Sequence, residues 1–179
     1  MNMPNTVPLQ LPTHRPSLRV FSGLALGEAL ARSRQAQRLR TNVNVHPELE
    51  DPIQRLFNVL QPGSYIRPHR HEAHRWELFV GLSGRAGVLT FDDGGTCLER
   101  CILVPGALWA VEIPGGMWHT AVALEADTVL FEVKPGPFRK LEDKDFAPWA
   151  PAEGDPRTEA VLKRWELMLA RSAETQDHA

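Results

Sequence analysis

Four side chains in this sequence have the chemistry and the spacing of a metal site. His69 and His71 are one residue apart, Glu77 follows six positions later, and His119 comes much later in the run IPGGMWHTAV. Side chains two apart on a strand point to the same side, so the first two histidines share a face, and Glu77 can meet them from the returning strand of a hairpin. Three neutral imidazoles and a carboxylate predict a site for one divalent transition metal, such as Zn, Fe, Mn or Ni.

The remaining histidines fit this site less well. His74 lies in the turn between the two strands, out of phase with the pair, and we expect it at the rim. His14, His46 and His178 fall outside the predicted strands or at their edges, and we expect them to be structural or exposed. An H-x-H pattern alone is a weak signal, and the later glutamate and histidine make it stronger.

Three further side chains are candidates for contact with a substrate, and each has a structural alternative. Arg67 and Tyr65 share the histidine face if the strand is regular from residue 65 to 71. Arg67 would bind a carboxylate or a phosphate, or else form a salt bridge at the mouth of the site. Tyr65 would donate a proton, which makes it a candidate catalytic residue with Arg67, or else pack with a satisfied hydroxyl. Trp118, with Trp109, would stack on a sugar or else pack in the core.

The elements that must position these residues are predicted to be mainly strands. From about Ile53 to Lys134, short apolar runs alternate with turn signals at roughly 8–12-residue intervals, as in a small sandwich or barrel. A helix is predicted from Ser22, which can cap it, to Arg40. A second helix is predicted after Asp155-Pro156, with a buried stripe of Val161, Leu162, Trp165, Met168 and Leu169.

The predicted organisation has four parts. Residues 1–17 form a flexible or extended tail, because a proline at every fourth position forbids a helix there. Residues 18–50 form an N-terminal helical segment, residues 51–138 form the barrel, and residues 139–179 form an irregular segment followed by the C-terminal helix.

Composition limits the partners that we expect. A chain of 179 residues with 42% hydrophobic and 23% charged residues is typical of one globular domain, and its net charge of −2 predicts no nucleic-acid partner. Residues 1–40 hold six arginines and one glutamate. We interpret this basic arm as a solvated helix face and tail, with phosphate or subunit contact as the alternative.

The same data predict a cytoplasmic protein without a membrane partner. The first twenty residues contain four prolines and lack an apolar core, which is not typical of a secretory signal. The least charged stretch, 101–118, is broken by prolines and glycines and therefore predicts sheet and turn. Cys97 and Cys101 would lie roughly 13 Å apart in an extended segment, too far for a disulfide, which agrees with a reducing compartment.

Two patterns in the sequence resemble the motifs of a known family. The pattern Gly63-x5-His69-x-His71-x5-Glu77-x6-Gly84 resembles the first cupin motif, and Pro114-x-Gly116-x2-His119 resembles the second. Residues from about 38 to 155 are similar to WbuC-type cupin-fold metalloproteins, with the runs RLRTNVNVHPELEDPIQRLFN, YIRPHRH, WELFVGLSG, FDDGG, VEIPGGMWHT and FEVKPGPF. The resemblance implies a double-stranded β-helix, or jelly-roll, barrel with one internal metal and a link to surface polysaccharide synthesis.

Three functional hypotheses follow from this resemblance and from the residues. The first is a metal-dependent protein that acts on or binds a small anionic metabolite, such as a sugar or sugar phosphate. The second is an oxygen-dependent cupin dioxygenase, and the third is a non-catalytic binding or regulatory protein. We also expect a homodimer, because small barrels of this kind have sheet edges that need covering.

Overall fold

The fold consists of two antiparallel sheets between two helices. The computed structural model describes residues 18–176, so the predicted tail 1–17, His14 and His178 lie outside the described residues. In chain order the elements are α1 (Gly23–Gln35), β1 (Arg40–Asn44), β2 (Ile53–Leu60), β3 (Glu77–Ser83), β4 (Ala86–Phe91), β5 (Cys97–Leu103), β6 (Ala110–Ile113), β7 (Trp118–Ala123), β8 (Thr128–Pro135), a short 3-10 turn (Asp143–Asp145) and α2 (Thr158–Gln176).

The strand order is that of a jelly roll. One sheet has the order β1-β2-β8-β3-β6, and the other has the order β5-β4-β7. Residues 61–76, which we call the linking segment, connect β2 to β3 and add to the second sheet through a single bridge between His69 and His119. Strands that are distant in sequence therefore pair, and the two sheets enclose a space between them. The predicted mainly β, jelly-roll fold is confirmed.

Alternation along the strands of the first sheet separates its two faces. In β8, Val129 and Phe131 pack with the α1 side chains, whereas Leu130 and Glu132 face the space between the sheets. β2 does the same, because Phe57 joins the α1 side. The inner face thus carries both apolar and charged side chains, which is the arrangement that builds the site described below.

Helix α1 is shorter than the sequence predicts. Ser22 occupies the N-cap position, but its side chain makes no capping hydrogen bond. The helix ends at Gln35, not Arg40, and residues Arg40–Asn44 form β1, which pairs with β2. The predicted helical segment 18–50 therefore contains an edge strand of the first sheet, because strand pairing with β2 prevails over continuation of the helix.

Helix α2 packs on the outer face of the second sheet as its apolar stripe predicts. Leu162, Trp165 and Leu169 are buried against side chains of β4 and β7. Asp155 precedes the first helical residue, Thr158, and its carboxylate accepts a 2.8 Å hydrogen bond from the backbone N–H of Arg157. The predicted cap thus lies a few residues before the regular helix, in a turn that leads into it.

The structure also bears on the predictions about a disulfide and about membrane-spanning segments. Both cysteines are free thiols. Neither α-helix within residues 18–176 has the length and apolarity needed to cross a bilayer.

Candidate metal centre

The four predicted ligands come together at one end of the space between the sheets. One donor atom from each of His69, His71, Glu77 and His119 lies within 4.8 Å of the others. Glu77 begins β3 and His119 is the second residue of β7, whereas the other two histidines lie on the linking segment. The structure therefore brings the predicted set into a group that could hold a metal ion.

The linking segment reaches β7 without forming a regular strand. The backbone N–H of His69 donates to the carbonyl of His119 at 3.1 Å, and the reverse bond measures 2.9 Å. The Thr120 hydroxyl donates to the carbonyl of Ile66 at 2.7 Å. These few bonds hold the histidines of the linking segment beside the histidine of β7.

The glycine turn between β6 and β7 also supports the linking segment. A Cβ atom at Gly115 would overlap the backbone carbonyl groups of Glu72 and Ala73, so only glycine fits. Its neighbour Gly116 has a φ of +83° and donates its N–H to the carbonyl of His71 at 2.9 Å. The PGG sequence before His119 therefore serves close backbone packing around the donors.

Hydrogen bonds to backbone carbonyls orient two of the imidazoles. Nδ1 of His119 lies 2.9 Å from the carbonyl oxygen of Met117, and Nδ1 of His69 lies 3.2 Å from that of Arg67. A carbonyl can only accept, so each Nδ1 carries a hydrogen. In the neutral form of a ring this leaves the lone pair on Nε2, which is the form that binds a metal.

The Glu77 carboxylate lies between two of the rings. Its Oε2 is 2.9 Å from Nε2 of His119, and its Oε1 is 2.7 Å from Nε2 of His71. The His71 contact is not aligned as a hydrogen bond, and this buried nitrogen has no other hydrogen-bond partner. Buried nitrogen and oxygen atoms that bear lone pairs therefore lie close together, which is electrostatically unfavourable. A cation bound among them would remove this unfavourable interaction. The group therefore fits a metal ion.

The protonation states of His69 and Glu77 suit metal binding. Burial, reinforced by the neighbouring His119, holds the pKa of His69 well below its usual value, so the ring stays neutral. Burial alone would raise the pKa of Glu77, but the positive charge of Lys134 opposes this, and the pKa is held well below its usual range. A neutral imidazole and an ionised carboxylate bind a metal without first losing a proton.

A network of buried charged side chains lies beside the metal-donor group, and it was not predicted from the sequence. Nζ of Lys134 lies 2.7 Å from Oε1 of Glu77 and 2.5 Å from a carboxylate oxygen of Glu132. Asn58 in turn donates to Glu132. Burial would lower the pKa of Lys134, but Glu132 and Glu77 together raise it. Burial and the charge of Glu77 raise the pKa of Glu132. One ammonium group thus forms ion pairs with two carboxylates, so the net charge at this end of the site is negative.

Strand register explains the network. Leu78 pairs with Val133, so the preceding Glu77 and the following Lys134 are cross-strand neighbours on one face. Asn58 pairs with Leu130, so Glu132 is its diagonal neighbour. Two charged residues two apart in the otherwise apolar strand TVLFEVKP are a sequence signal that could have revealed this inward-facing pair.

A cavity of about 240 Å³ opens beside the donors, and we call it the inner cavity. Arg67 lines it. Nη2 of this arginine donates to the carbonyl of Ala147 at 3.0 Å, and its guanidinium carbon lies 5.3 Å from the centre of the Phe146 ring. Its buried Nε has no hydrogen-bond partner, and no carboxylate among residues 18–176 forms an ion pair with it. The salt bridge that was the alternative for Arg67 is therefore not formed within the described residues.

Two more arginines line the inner cavity but are paired. Arg38 and Arg40 both bind the Glu153 carboxylate, at 2.6 and 2.5 Å. Arg40 also donates to the carbonyl of Tyr65 at 2.9 Å, and its side chain is 14% exposed. Two guanidinium groups on one carboxylate leave a net positive charge, to which Arg67 adds a second.

A second cavity of about 500 Å³, the outer cavity, reaches the group from another direction. His71 lines only this one, whereas His69 and Lys134 line both. Leu141 and Phe146 also line both cavities, so the two cavities adjoin at these four residues. Arg75, Arg139 and Lys140 line the outer cavity, and the first two pair with Glu72 and Asp145, each at 3.2 Å.

Tyr65 does not lie where the strand pattern predicted. It is buried among core side chains on the α2 side, stacked on Trp165 with ring centres 5.5 Å apart. Its hydroxyl donates to the carbonyl of Pro151 at 2.9 Å. The assumption of a regular strand over 65–71 fails, because the linking segment contains Pro68 and is irregular. The packing alternative describes Tyr65, and it does not line the inner cavity.

Trp118 also lies away from the donors. It precedes His119 in β7, and neighbours in a strand point to opposite faces. Its indole donates to Asp93 at 2.9 Å, and Arg70 lies over its ring at 4.1 Å. Trp109, by contrast, is 62% exposed. The core alternative thus describes Trp118, and strand alternation alone could have excluded it from the site.

The other histidines agree with their predicted roles. The side chain of His74 is 73% exposed and lies at the rim. His46 is buried, and its Nδ1 lies 3.0 Å from the backbone nitrogen of Arg55, which is a structural contact between the loop before β2 and that strand.

Comparisons with known proteins give a family match and a set of similar structures. A family model described as a domain of unknown function (DUF6016) matches residues 23–103. No curated protein sequence matches the chain. KdgF from a Halomonas species is similar in structure, with 24% identity over 56% of this chain and 81% of that one and a TM-score of 0.44.

Two further similar structures are described as cupins. One is the cupin_2 domain of an XRE-family transcriptional regulator from Enterobacter cloacae, with 20% identity over 55% of this chain and 98% of that one and a TM-score of 0.44. The other is a cupin superfamily protein from Desulfitobacterium hafniense, with 16% identity over 54% of this chain and 76% of that one and a TM-score of 0.42.

Proposed function

We propose that this protein holds one divalent transition metal on His69, His71, Glu77 and His119 and uses the site to bind or transform a small anionic metabolite. The observation that carries the proposal is the convergence of four donor atoms, all within 4.8 Å of one another. When bound, such a metal supplies a Lewis acid that can polarise a carbonyl or lower the pKa of a water molecule.

The anionic ligand is supported by the charges of the inner cavity. Arg67 faces this cavity with no acidic partner among the described residues, and Arg38 and Arg40 share a single carboxylate. A buried cation is costly unless it is paired, and a carboxylate or phosphate of the ligand would pair it. The role of Arg67 is then to bind and orient the anion.

Several finer hypotheses stay predictions. A sugar or sugar-phosphate ligand and a role in surface polysaccharide synthesis rest on the WbuC resemblance. An oxygen-dependent dioxygenase would require a redox metal such as iron and would consume oxygen with its substrate. A binding or regulatory protein would melt at a higher temperature with its ligand and turn nothing over. Anaerobic assays and oxygen electrodes separate these three.

A homodimer and a cytoplasmic location also stay predictions. β1 is an edge of the first sheet, and a second copy could cover its unpaired backbone groups. Light scattering after size-exclusion chromatography measures the mass of the assembly, and a monomer at micromolar concentration would exclude a stable dimer.

Elemental analysis of protein purified without added metal tests the metal site. We expect close to one transition-metal ion per wild-type chain and very little in Glu77→Gln, which keeps the size of the side chain but removes its charge. His74→Gln is the matched control, because it removes an exposed histidine from the rim and should keep the metal. Equal metal content in wild type and Glu77→Gln would overturn the proposed ligand set.

A further inference from the structure

We infer that the ligand of the inner cavity is a short organic diacid with an apolar middle, and not a sugar phosphate. This inference rests on the proposed metal site and names the class of molecule that would bind there. One acid group would bind at the metal, and the other would bind Arg67. The charges, the apolar walls and the volume of the cavity support this class independently.

The charges of the inner cavity are divided between two sets of residues. Beside the donors, Lys134 compensates only one of the two carboxylates of Glu77 and Glu132, so this end attracts a cation. Positive charge dominates in the part of the cavity that Arg67 lines. No carboxylate among the described residues pairs with this arginine. With a divalent ion bound, both ends are positive, and a ligand with two anionic groups would neutralise both.

The lining of the inner cavity also has an apolar part. Seven of the lining side chains are hydrocarbon or aromatic: Leu60, Ile66, Phe79, Ala121, Leu130, Leu141 and Phe146. Apart from the imidazoles, Asn58 is the only uncharged polar side chain among the lining residues, and its amide already donates to Glu132. The three lining carboxylates are already paired with Arg38, Arg40 and Lys134, so the hydroxyl groups of a sugar would have to compete with these ion pairs, which costs binding free energy. Burial of methylene groups beside the apolar side chains would instead make binding more favourable.

The volume also favours a small molecule. At about 240 Å³ the inner cavity lies just below the range of about 300–1,000 Å³ that is usual for small-molecule pockets. A dicarboxylic acid of four to six carbons has about eight to ten non-hydrogen atoms and a hexose phosphate has about sixteen, so the smaller class suits a cavity of this size better.

Isothermal titration calorimetry on the metal-loaded protein tests the inference. The probes are succinate, glutarate and adipate, the monoacids butyrate, pentanoate and hexanoate, and glucose 6-phosphate. We expect at least one diacid to bind about ten-fold more tightly than the monoacid of the same length, because its second carboxylate gains a charged hydrogen bond. Glucose 6-phosphate should bind more weakly than that diacid.

Two variants and one control assign the effect to the cavity. Arg67→Gln should reduce the preference for the diacid below about three-fold, by removing the charged partner, without changing metal content. Ala121→Val, which narrows the cavity, should weaken diacid binding while keeping the metal. Arg34→Gln removes the same charge at an exposed pair with Asp127 and should behave as wild type.

The possible failures are distinguishable. Equal affinity for diacids and monoacids, tighter binding of glucose 6-phosphate than of every diacid, or a preference that survives in Arg67→Gln would each overturn the diacid inference. If the metal-loaded protein binds glucose 6-phosphate through Arg67 but no diacid, the proposed function stands and the inference fails. If wild type retains no metal after loading with zinc, iron, manganese or nickel, the proposed function itself fails.

Discussion

The donors of the metal centre come from two different kinds of backbone. Glu77 and His119 belong to β3 and β7, where neighbouring strands pair along their length, and each residue is 2% exposed. His69 and His71 belong to the linking segment, which is tied to β7 through one bridge and a few hydrogen bonds. One half of the site is thus part of the sheets, and the other half is held beside them.

This difference separates the donors that also contribute to folding from those that contribute mainly to metal binding. The strand-borne half fixes a buried carboxylate and a buried ring by pairing that the barrel needs in any case. The linking segment has irregular backbone, so fewer of the hydrogen bonds that hold the sheets together depend on it. We therefore expect substitutions in the strands to affect both folding and metal binding, and substitutions in the linking segment to affect mainly metal binding.

The largest effect is expected for His119→Ala. It removes a buried ring from β7, so the free energy of unfolding of the metal-free protein should fall by about 2–4 kcal/mol, as for other large buried side chains. Metal affinity should fall by at least about 100-fold, beyond the effect typical of outer-shell partners. Urea unfolding and competition with a chelator measure the two quantities. Unchanged metal affinity would exclude His119 as a ligand.

His71→Ala should lose the metal but cost less stability. The side chain lines the outer cavity, so its removal opens space to that cavity and creates no sealed void. We expect metal content to fall to near zero while the unfolding free energy of the metal-free protein changes by about 1 kcal/mol or less. A stability loss equal to that of His119→Ala would remove the distinction between the two halves.

Thr120→Val tests the attachment of the linking segment. It removes the hydroxyl that donates to Ile66 and leaves that carbonyl without this donor, at a cost of about 1–2 kcal/mol. Metal affinity should fall by about ten-fold, because the histidines are less well positioned. The matched control is Thr128→Val, because this buried threonine of β8 donates its hydroxyl to the carbonyl of Glu125 at the same distance of 2.7 Å, away from the donors. Equal loss of metal affinity in both variants would contradict this role.

Tyr65→Phe should have the smallest effect. Loss of the bond to Pro151 should cost about 0.5–1.5 kcal/mol, without change in metal or ligand binding. Burial raises the pKa of Tyr65 to about 12. Because the folded state keeps this phenol neutral, its contribution to stability is complete below pH about 10 and is lost as the pH rises toward about 12.

This tyrosine is the only one in the chain, so its ultraviolet titration reports it directly. The native protein should form tyrosinate near pH 12 and the urea-unfolded protein near pH 10. Titration of the native protein near pH 10, or a loss of ligand binding in Tyr65→Phe, would contradict the core position.

Residue spacing predicted the donor group well where it depended on local geometry. His69 and His71 follow the two-residue repeat across a short distance, and the glycine turn before His119 marks a strand end. The same repeat failed for Tyr65, because side-chain direction does not carry across the irregular backbone around Pro68.

Other parts of the site depend on pairings between distant strands. The contact of Lys134 with Glu77 follows from the register of β3 on β8, which one sequence does not specify. Arg38 and Arg40 meet Glu153 only because β1 joins the first sheet, and that strand was predicted as part of a helix. Tertiary pairing therefore determines the electrostatic surroundings of the donors, while local pattern determines the donors themselves.

Gly87 in β4 has a consequence for how the chain can be divided. Any side chain at this position would overlap Leu169, so helix α2 rests directly on the backbone of the strand next to β7. A protein truncated before Thr158 would lose the cover that Leu162, Trp165 and Leu169 give to this sheet face, and an exposed apolar face promotes self-association. The terminal helix is thus an integral outer wall of the jelly roll, and deletion mapping that treats it as a dispensable extension would yield aggregates.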